Sequence, residues 1–436
     1  MFSSIFSTSP PVDAKAPNFR SVSESFKENE LFGELTPKDT EWACAGGGFI
    51  TETQVYYTTT EDGNVLMCQV IHSSVGLWYP TIQFTCKWHN PKTGETVWKS
   101  VNVSNFVSPP PGLDKRSCKA DQFSITHKDA PGTDFPESYF ISANLATDLQ
   151  ISLEISRPAS VPGWKLGKGE KGGFSYFGAN PASPDGHVIH RFWPRFHATG
   201  HFIHKGQAHV VKGPGMFVHA IQGMRPDLVA SRWGFANFQS NEHGGVSAIQ
   251  MEFTTTDAYG KHGSRSGGVA VNVGSLVVGG KLVCVTGSTK WAKVESPAAN
   301  VVCRATHSKF ALDNTGYEKP GEILFEWAGP SVLPGESGNY SAKLSADLGD
   351  LENPKGLIEK VDVLGEIPYV LKVTVNYVAG TKPFIYQVGI CLLPMPTDYN
   401  IFYQWFNPGK LTITEPGSDK PVQVDGMFYN EASFLS

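Results

Sequence analysis

The sequence predicts an all-β protein built from two antiparallel barrel-like halves. Its 436 residues exceed the usual length of one domain and favour two. Its 45 glycines and 30 prolines suit short strands joined by many turns. Apolar and polar residues alternate in short runs, without a sustained helical period. Strands separated by turns in this way are typical of barrels and sandwiches.

The clearest hairpin signal lies early in the chain. Residues 54–58 and 65–71 are strand-like runs, and the turn-forming residues 61–64 separate them. Gly63 supplies the positive φ that such a turn requires. Residues 81–88 alternate polar and apolar side chains, as a half-buried strand does.

Composition shifts divide the chain into three parts. Residues 1–40 are polar and contain several prolines, which predicts a short flexible arm. The Gly-Pro-Gly run at 213–215 is the predicted joint between the halves. The first barrel would then span 41–212 and the second 213–436.

Net charge and cysteine usage limit the cellular compartment and the classes of partner that are expected. The formal net charge of −5 provides no basic field for nucleic acid. Seven widely spaced cysteines, an odd number, predict free thiols in a reducing compartment. The first residues show neither a basic signal-peptide start nor a long apolar run, which predicts a soluble cytoplasmic protein.

Histidines concentrate in one segment, and they raise the question of a metal site. Seven of the thirteen are His187, His190, His197, His201, His204, His209 and His219. No carboxylate lies among them, and the glycine at 200 argues against a helix that would align a metal-binding pair. We therefore predict structural histidines and no metal. Motifs for nucleotide cofactors or activated nucleophiles are also missing, so neither a cofactor nor a catalytic residue is predicted.

Several long motifs resemble one family. They are QVIHSSVGLWYPTIQF at 69–84, GMFVHAIQGMRP at 215–226 and FQSNEHGGVSAIQMEFT at 238–254. From about residue 40 onward the chain is similar to the fungal survival factor 1 family, tandem lipocalin-like proteins tied to oxidative-stress survival and sphingolipid metabolism. The resemblance implies two lipocalin-like, calycin-type barrels after the arm. It also implies a non-enzymatic carrier that moves ceramide between the endoplasmic reticulum and the Golgi.

A carrier of ceramide or a related sphingolipid must pair the amide and hydroxyls of its ligand. The candidate residues are Arg191, Trp193, Arg225, Arg232, Trp233, Asn241, Glu242 and His243. Each could instead hold a loop or the interface between the barrels. We expect a cytoplasmic monomer that touches endoplasmic reticulum and Golgi membranes transiently, with the nucleus as a further location.

Two features depart from the family pattern, and the first is the N-terminus. Phe2, Ile5 and Phe6 have the spacing of one apolar helix face within residues 1–9. Pro10 and Pro11 end this helix after about two turns. We therefore predict only weak membrane docking.

The second departure is an insertion at residues 388–404. In the family, a strand ending Tyr-Ile-Tyr-Gln continues directly to Trp-x-Asn-Pro, whereas here the insertion separates Gln387 from Trp405. Its terminal codons are compatible with intron boundaries, so we interpret it as a retained intron translated in frame. As part of the protein it should form a loop, because Pro394 and Pro396 interrupt strand pairing.

Two other function classes remain open. A lipocalin-like enzyme of the hydratase or isomerase type would need an interior carboxylate with a raised pKa. A structural scaffold would have both barrels filled by side chains. The state of the two interiors separates these alternatives.

Overall fold

The computed structural model describes residues 16–46, 48–74, 80–262, 267–292, 300–312, 318–362 and 401–434. Strands dominate this part of the chain, which confirms the all-β prediction. Its helical segments are α1 (Pro37–Thr40), α2 (Pro226–Val229) and the 3₁₀ turns Val22–Glu24, Glu28–Glu30 and Glu242–Gly244. Within the described ranges, none of these helices has the length or apolar character needed to span a membrane.

Fourteen of the described strands form the first sheet. They are β1 (Phe19–Arg20), β2 (Phe32–Glu34), β3 (Ile50–Thr59), β4 (Val65–Ser74), β5 (Thr81–Asn90), β6 (Glu95–Asn102), β7 (Cys118–Lys119), β8 (Phe123–Asp129), β9 (Glu137–Ala146), β10 (Leu149–Arg157), β11 (Trp164–Leu166), β12 (Phe174–Phe177), β13 (Gly186–His204) and β14 (Gln207–Gln222). The main path runs β6-β5-β4-β3-β14-β13-β10-β9-β8-β7. Just after the two end strands, β6 and β7, the Asp121 amide donates to the Ser104 carbonyl over 2.9 Å.

Ten described strands form the second sheet, and two more form a separate two-stranded ladder. They are β15 (Arg232–Ser240), β16 (Val246–Thr254), β17 (Ala270–Val278), β18 (Lys281–Lys290), β19 (Val302–Ser308), β20 (Ala311–Leu312), β21 (Glu318–Lys319), β22 (Glu322–Pro330), β23 (Asn339–Asp347), β24 (Leu357–Asp362), β25 (Ile401–Thr414) and β26 (Val422–Phe434). The sheet runs β18-β17-β16-β15-β26-β25-β23-β22-β19, with β24 on β25 and the ladder made by β20 and β21. The Ser288 hydroxyl donates to the Cys303 carbonyl between the end strands, so this barrel is nearly closed.

Large side chains fill the interior of the first barrel. Tyr139 lies 5.1 Å from Trp193 and 5.6 Å from Phe217, measured between ring centroids. Trp88 stacks on Phe202 at 5.1 Å. All five are almost completely buried. Alternation along each strand points every second residue inward, and these inward positions carry aromatic rings. The first barrel is therefore a solid core.

The two barrels pack together through an apolar seam. Tyr57 of β3 lies 5.1 Å from Phe235 and 5.2 Å from Tyr429 of the second barrel, measured between ring centroids. On the same outer faces, Lys87 of β5 is buried and pairs with Glu359. The interface between the barrels therefore combines buried apolar side chains with a partly buried ion pair.

The arm belongs to this seam where the structure describes it. Phe19 and Val22 are buried, and the Phe19 ring lies 5.0 Å from Phe177 and 6.2 Å from Phe253. The arm thus contacts both halves. The predicted flexible arm is corrected for residues 16–40, because its apolar side chains gain more by burial than by exposure.

The boundary between the halves lies later than predicted. Residues 213–215 sit inside β14, and the chain crosses to the second sheet between Gln222 and Arg232. A Cβ at Gly213 would lie 2.1 Å from the Thr59 carbonyl oxygen, and one at Gly215 would lie 2.2 Å from that of Tyr57. These glycines permit close strand contact and do not form a hinge.

Part of the predicted insertion belongs to a regular strand. Residues 401–404 begin β25 and pair in register with β26 and β24. Tyr403 and Gln404 are both buried. The predicted loop is therefore corrected for these four residues, and residues 388–400 lie outside the described part of the chain.

Candidate functional site

The interior of the second barrel is built from rows of facing side chains, and its outermost row is charged. Residues directly opposite each other in an antiparallel pair share a face of the sheet. Arg232, Thr254, Ala270 and Lys290 stand opposite one another across β15, β16, β17 and β18. Arg232 and Lys290 are exposed. This row marks the open end of the barrel.

The next row inward centres on Glu252. It stands opposite Gly234 and Asn272, and Asn272 stands opposite Ser288. Burial raises the pKa of Glu252 to about 7, against the opposing effects of a hydrogen bond with Asn272 and the charge of Arg232. The Glu252 side chain nevertheless keeps some accessible surface. It therefore lines open space inside the barrel.

Small residues and a histidine form the opposite wall of the same space. Cys303, Ala305 and His307 alternate along β19 with side chains that point outward. Burial, together with the charge of Arg232, lowers the pKa of His307 to about 4. Ala305 and His307 are only partly buried. The open space thus reaches from β16 to β19.

A third row separates this space from an apolar floor. It runs across β25, β26, β15, β16, β17 and β18 through Trp405, Asn430, Ala236, Gln250, Gly274 and Thr286. A Cβ at Gly274 would lie 2.8 Å from Trp327 Nε1 and 3.0 Å from Cys303 Sγ, which places this row inside the barrel. Below it, Phe238, Leu276 and Phe428 are buried in the second core.

Two of the predicted ligand residues lie at the open end, but only one faces inward. Arg232 belongs to the outermost interior row and interacts electrostatically with Glu252 and His307. Trp233 points to the seam, where its ring lies 5.2 Å from Phe253 and 5.6 Å from His190. Arg225 precedes α2 in the crossover between the barrels.

Two others belong to the first barrel. Arg191 donates to the Asp39 carbonyl over 2.7 Å, and burial lowers its pKa against the charge of Asp39. Trp193 is enclosed in the filled core, with Arg157 over its ring. Strand β13 has a bulge at Pro194 and Arg195, between Trp193 and Phe196. Neither predicted residue reaches the second interior.

The remaining three lie at the far end of β15. Asn241, Glu242 and His243 are exposed, and the length of β15 separates them from Arg232 by about 26 Å. Asn241 accepts a hydrogen bond from Arg195 over 2.9 Å, which ties the loop to the first barrel. Glu242 accepts from the Asp425 backbone amide over 2.9 Å. The structure does not bring the eight predicted residues together, and their ligand role stays a prediction.

Sequence reasoning missed Glu252, Gln250, Asn272, His307 and Asn430. A signal existed in residues 246–254, where the large polar side chains of Gln250 and Glu252 lie in a strand that is mostly apolar and mostly buried. Such a strand has a core on each face, so its polar residues must meet specific partners or a ligand. The positions of the neighbouring strands are needed to decide between protein partners and a ligand.

The most enclosed charged pair of the first barrel is fully partnered. Glu52 accepts hydrogen bonds from the Ala43 and Cys44 amides and lies 2.8 Å from His219 Nε2. The hydrogen bond and charge of His219, with the two amides, hold the pKa of Glu52 below its usual value despite burial. This pair anchors the segment before β3, and few of its hydrogen-bonding atoms remain for a ligand.

One group in the described residues has the composition of a metal site. Asp114, His127 and Asp129 bring their potential ligand atoms within 4.8 Å of one another. Arg116 donates to both carboxylates, at 2.7 Å to Asp114 and at a short distance to Asp129. The guanidinium already supplies the positive charge that a metal would bring. A structural ion-pair cluster accounts for the group.

Comparison with known proteins identifies the family. The model of the Svf1 family matches residues 2–389. The chain belongs to the Svf1 family. An Aspergillus fumigatus relative named ceramide-binding protein svf1 is 31% identical over 408 residues, covering 93% of this chain and 91% of its own length. A Schizosaccharomyces pombe relative of the same name is 31% identical over 420 residues, covering 95% and 93%.

Solved structures support the fold of this Svf1 family member. The crystal structure of CghA with Sch210972 matches with a TM-score of 0.54 at 12% identity, covering 96% of this chain and 98% of CghA. A second CghA structure matches with a TM-score of 0.51, also at 12% identity, covering 88% of each chain. The predicted pair of lipocalin-like, calycin-type barrels is confirmed.

Proposed function

We propose that this protein binds ceramide, or a related sphingolipid, inside its second barrel and carries it without catalysing a reaction. The contrast between the two interiors supports the location. Aromatic rings fill the first barrel and the inner part of the second, whereas Gly234, Glu252 and His307 line space that remains open at the outer end of the second. The names of the Aspergillus and Schizosaccharomyces relatives support the ligand.

The chemistry of ceramide suits a compartment of this kind. Transfer of each methylene of its chains from water to an apolar site is worth ~0.8 kcal/mol. Its amide and hydroxyls need hydrogen-bond partners, because unpaired polar groups are costly in a dry cavity. The second barrel combines the apolar residues Phe238, Leu276 and Phe428 with polar rows above them.

The cellular role that we propose is transfer of ceramide between the endoplasmic reticulum and the Golgi, in support of survival under oxidative stress. The protein would act as a cytoplasmic monomer that contacts these membranes transiently. Phe2, Ile5 and Phe6 are the proposed docking residues, and they lie outside the described residues. Labelled ceramide moving between donor and acceptor vesicles only when the protein is added would support transfer.

Native mass spectrometry with lipid extraction, on protein purified from its natural host, tests ligand and location together. We expect one ceramide per chain. A Cβ at Gly234 would meet only the Glu252 Cβ, at 3.7 Å, so Gly234→Leu should fit while filling the space. This variant should lose the lipid, whereas Ser152→Leu on the outside of the first barrel should retain it. Wild-type protein that takes up no added ceramide would contradict the proposal.

Glu252 supports a second candidate function, an enzyme of the hydratase or isomerase type. Its carboxyl lies in the open space, and burial raises its pKa to about 7, as an acid–base catalyst requires. Mass spectrometry of lipids incubated with the protein would reveal addition or loss of water, or a rearranged double bond. Turnover that Glu252→Gln abolishes while binding persists would establish the enzyme. Lipids that stay unchanged would contradict the enzyme and favour the carrier function.

A further inference from the structure

Four buried polar atoms in the third row of the second barrel have no hydrogen-bond partner in the described structure. They are Gln250 Oε1, Asn430 Oδ1, Trp405 Nε1 and, at the β18 end of the row, Thr286 Oγ1. Their residues are at most 2% exposed. An unpaired buried polar group costs about 1–3 kcal/mol, so four in one row indicate a missing partner.

The remaining atoms of the two amides define what the row offers. Gln250 Nε2 donates to Asn272 Oδ1 over 2.6 Å. Asn430 Nδ2 donates to the Phe235 carbonyl over 2.8 Å. Because these donors are engaged, the two amide oxygens are left as acceptors. The indole N–H of Trp405 is a donor. From β25 to β16 the row therefore presents two acceptors and one donor, and Thr286 adds a hydroxyl on β18.

Strand register places the groups of Trp405, Asn430 and Gln250 within reach of one small molecule. Trp405 stands opposite Asn430, Asn430 opposite Ala236, and Ala236 opposite Gln250. Neighbouring strands lie about 4.8 Å apart, so the row from β25 to β16 spans about 14 Å. The methyl group of Ala236 is the smallest side chain between the two acceptors. This side chain offers neither acceptor a hydrogen-bond partner.

We propose that this row recognises the N-acyl amino alcohol group of its lipid. The oxygens of Gln250 and Asn430 would accept hydrogen bonds from the hydroxyls and amide N–H of the ligand. The indole N–H of Trp405 would donate to the amide carbonyl. This inference rests on the proposed function and deepens it, because it names the part of the lipid that is read.

The donor pattern separates this lipid from others with equal chains. A diacylglycerol has one hydroxyl and no amide N–H, so it would leave an acceptor unpaired. A fatty acid carboxylate would place its charge against two acceptors, which is unfavourable. The protein should therefore bind ceramide more tightly than a diacylglycerol of the same chain lengths. The diacylglycerol should in turn bind more tightly than the fatty acid.

Affinities of purified protein for chain-matched ceramide and diacylglycerol test this recognition. In Gln250→Leu and Asn430→Leu we expect about a 10-fold loss of ceramide affinity and little change for diacylglycerol. Gln150→Leu, an exposed change on the first barrel, is the matched control. Equal losses for both lipids, or none, would overturn the inference. Wild-type protein that binds neither lipid would instead defeat the proposed function.

Trp405→Phe provides a second test that breaks no internal hydrogen bond, because Nε1 is unpartnered. The ligand probe is an N-alkyl sphingoid base, which lacks the amide carbonyl. We expect wild-type protein to bind ceramide more tightly than this probe, and the preference should shrink about 5-fold or more in the variant. An unchanged preference would mean that the indole does not contact the carbonyl, and would overturn that part of the inference.

Discussion

Glu252 shows how one residue acquires unusual properties from its position. Along β16 its neighbours Met251 and Phe253 face the seam, while Glu252 faces the interior beside Asn272. Burial favours the neutral carboxyl and raises its pKa, and Asn272 opposes this shift through a hydrogen bond. The same side chain in an exposed strand would remain an ordinary carboxylate. Its chemistry is therefore set by the barrel.

The raised pKa of Glu252 predicts a pH-dependent stability. The folded state prefers the neutral carboxyl, so its contribution is fully present below the unfolded value of 4.5 and is lost as pH rises through about 7. Between pH 4.5 and 8, the wild type should lose about 3 kcal/mol relative to Glu252→Gln, which stays neutral. Urea unfolding at each pH measures this difference. Exposed Glu154→Gln is the control, and parallel curves for wild type and Glu252→Gln would contradict the prediction.

At the scale of single elements, β25 bears on the origin of the insertion. Its first residues read Ile-Phe-Tyr-Gln at 401–404, and the sequence before the insertion reads Phe-Ile-Tyr-Gln at 384–387. In the structure, Gln404 accepts from Lys87 and donates to Glu431 over 2.9 Å. Deletion of 388–404 would place a near-identical tetrapeptide before Trp405. We expect either tetrapeptide to satisfy the pairing of this strand.

We therefore predict that the chain lacking residues 388–404 folds as stably as the full chain. Gln387 would then take the place of Gln404, because Lys87 and Glu431 need the same partner. Gln387→Ala in the shortened chain should cost about 1–3 kcal/mol, as Gln404→Ala should in the full chain. Urea unfolding of the four proteins measures these costs. A shortened chain that does not fold would contradict the prediction.

At the scale of the whole molecule, the seam joins the barrels into one unit. One buried apolar cluster includes Phe19 of the arm, Tyr57 of the first barrel and Phe235 of the second. Lys87 and Glu359 add a partly buried ion pair across it. Apolar interfaces of this kind oppose independent domain motion. The arrangement explains why the arm is held between the halves.

This seam predicts that both barrels unfold together. Hydrogen exchange with increasing denaturant should show β9 and β16 losing protection at the same concentration. Lys87→Ala leaves Glu359 without its buried partner, so it should destabilise both barrels by about 3 kcal/mol. Exposed Lys92→Ala should change neither. Separate transitions in the wild type would show that the barrels are independent.

Local pattern by itself determined the fold class and one hairpin. Alternation and the Gly63 turn predicted the β3–β4 hairpin, because side-chain period and turn geometry are properties of neighbouring residues. The motifs at 215–226 and 238–254 indicated the family. These conclusions need no knowledge of distant contacts.

Tertiary structure decided which surfaces face a core and which side chains meet. Residues 213–215 read as a joint, yet they pack tightly against β3. Asn241 read as a ligand residue, yet it binds Arg195. Gln250 and Asn430 meet in one row although 180 positions separate them, because β15 pairs with both of their strands. Strand register between distant segments depends on the whole barrel, so local sequence could not place the site.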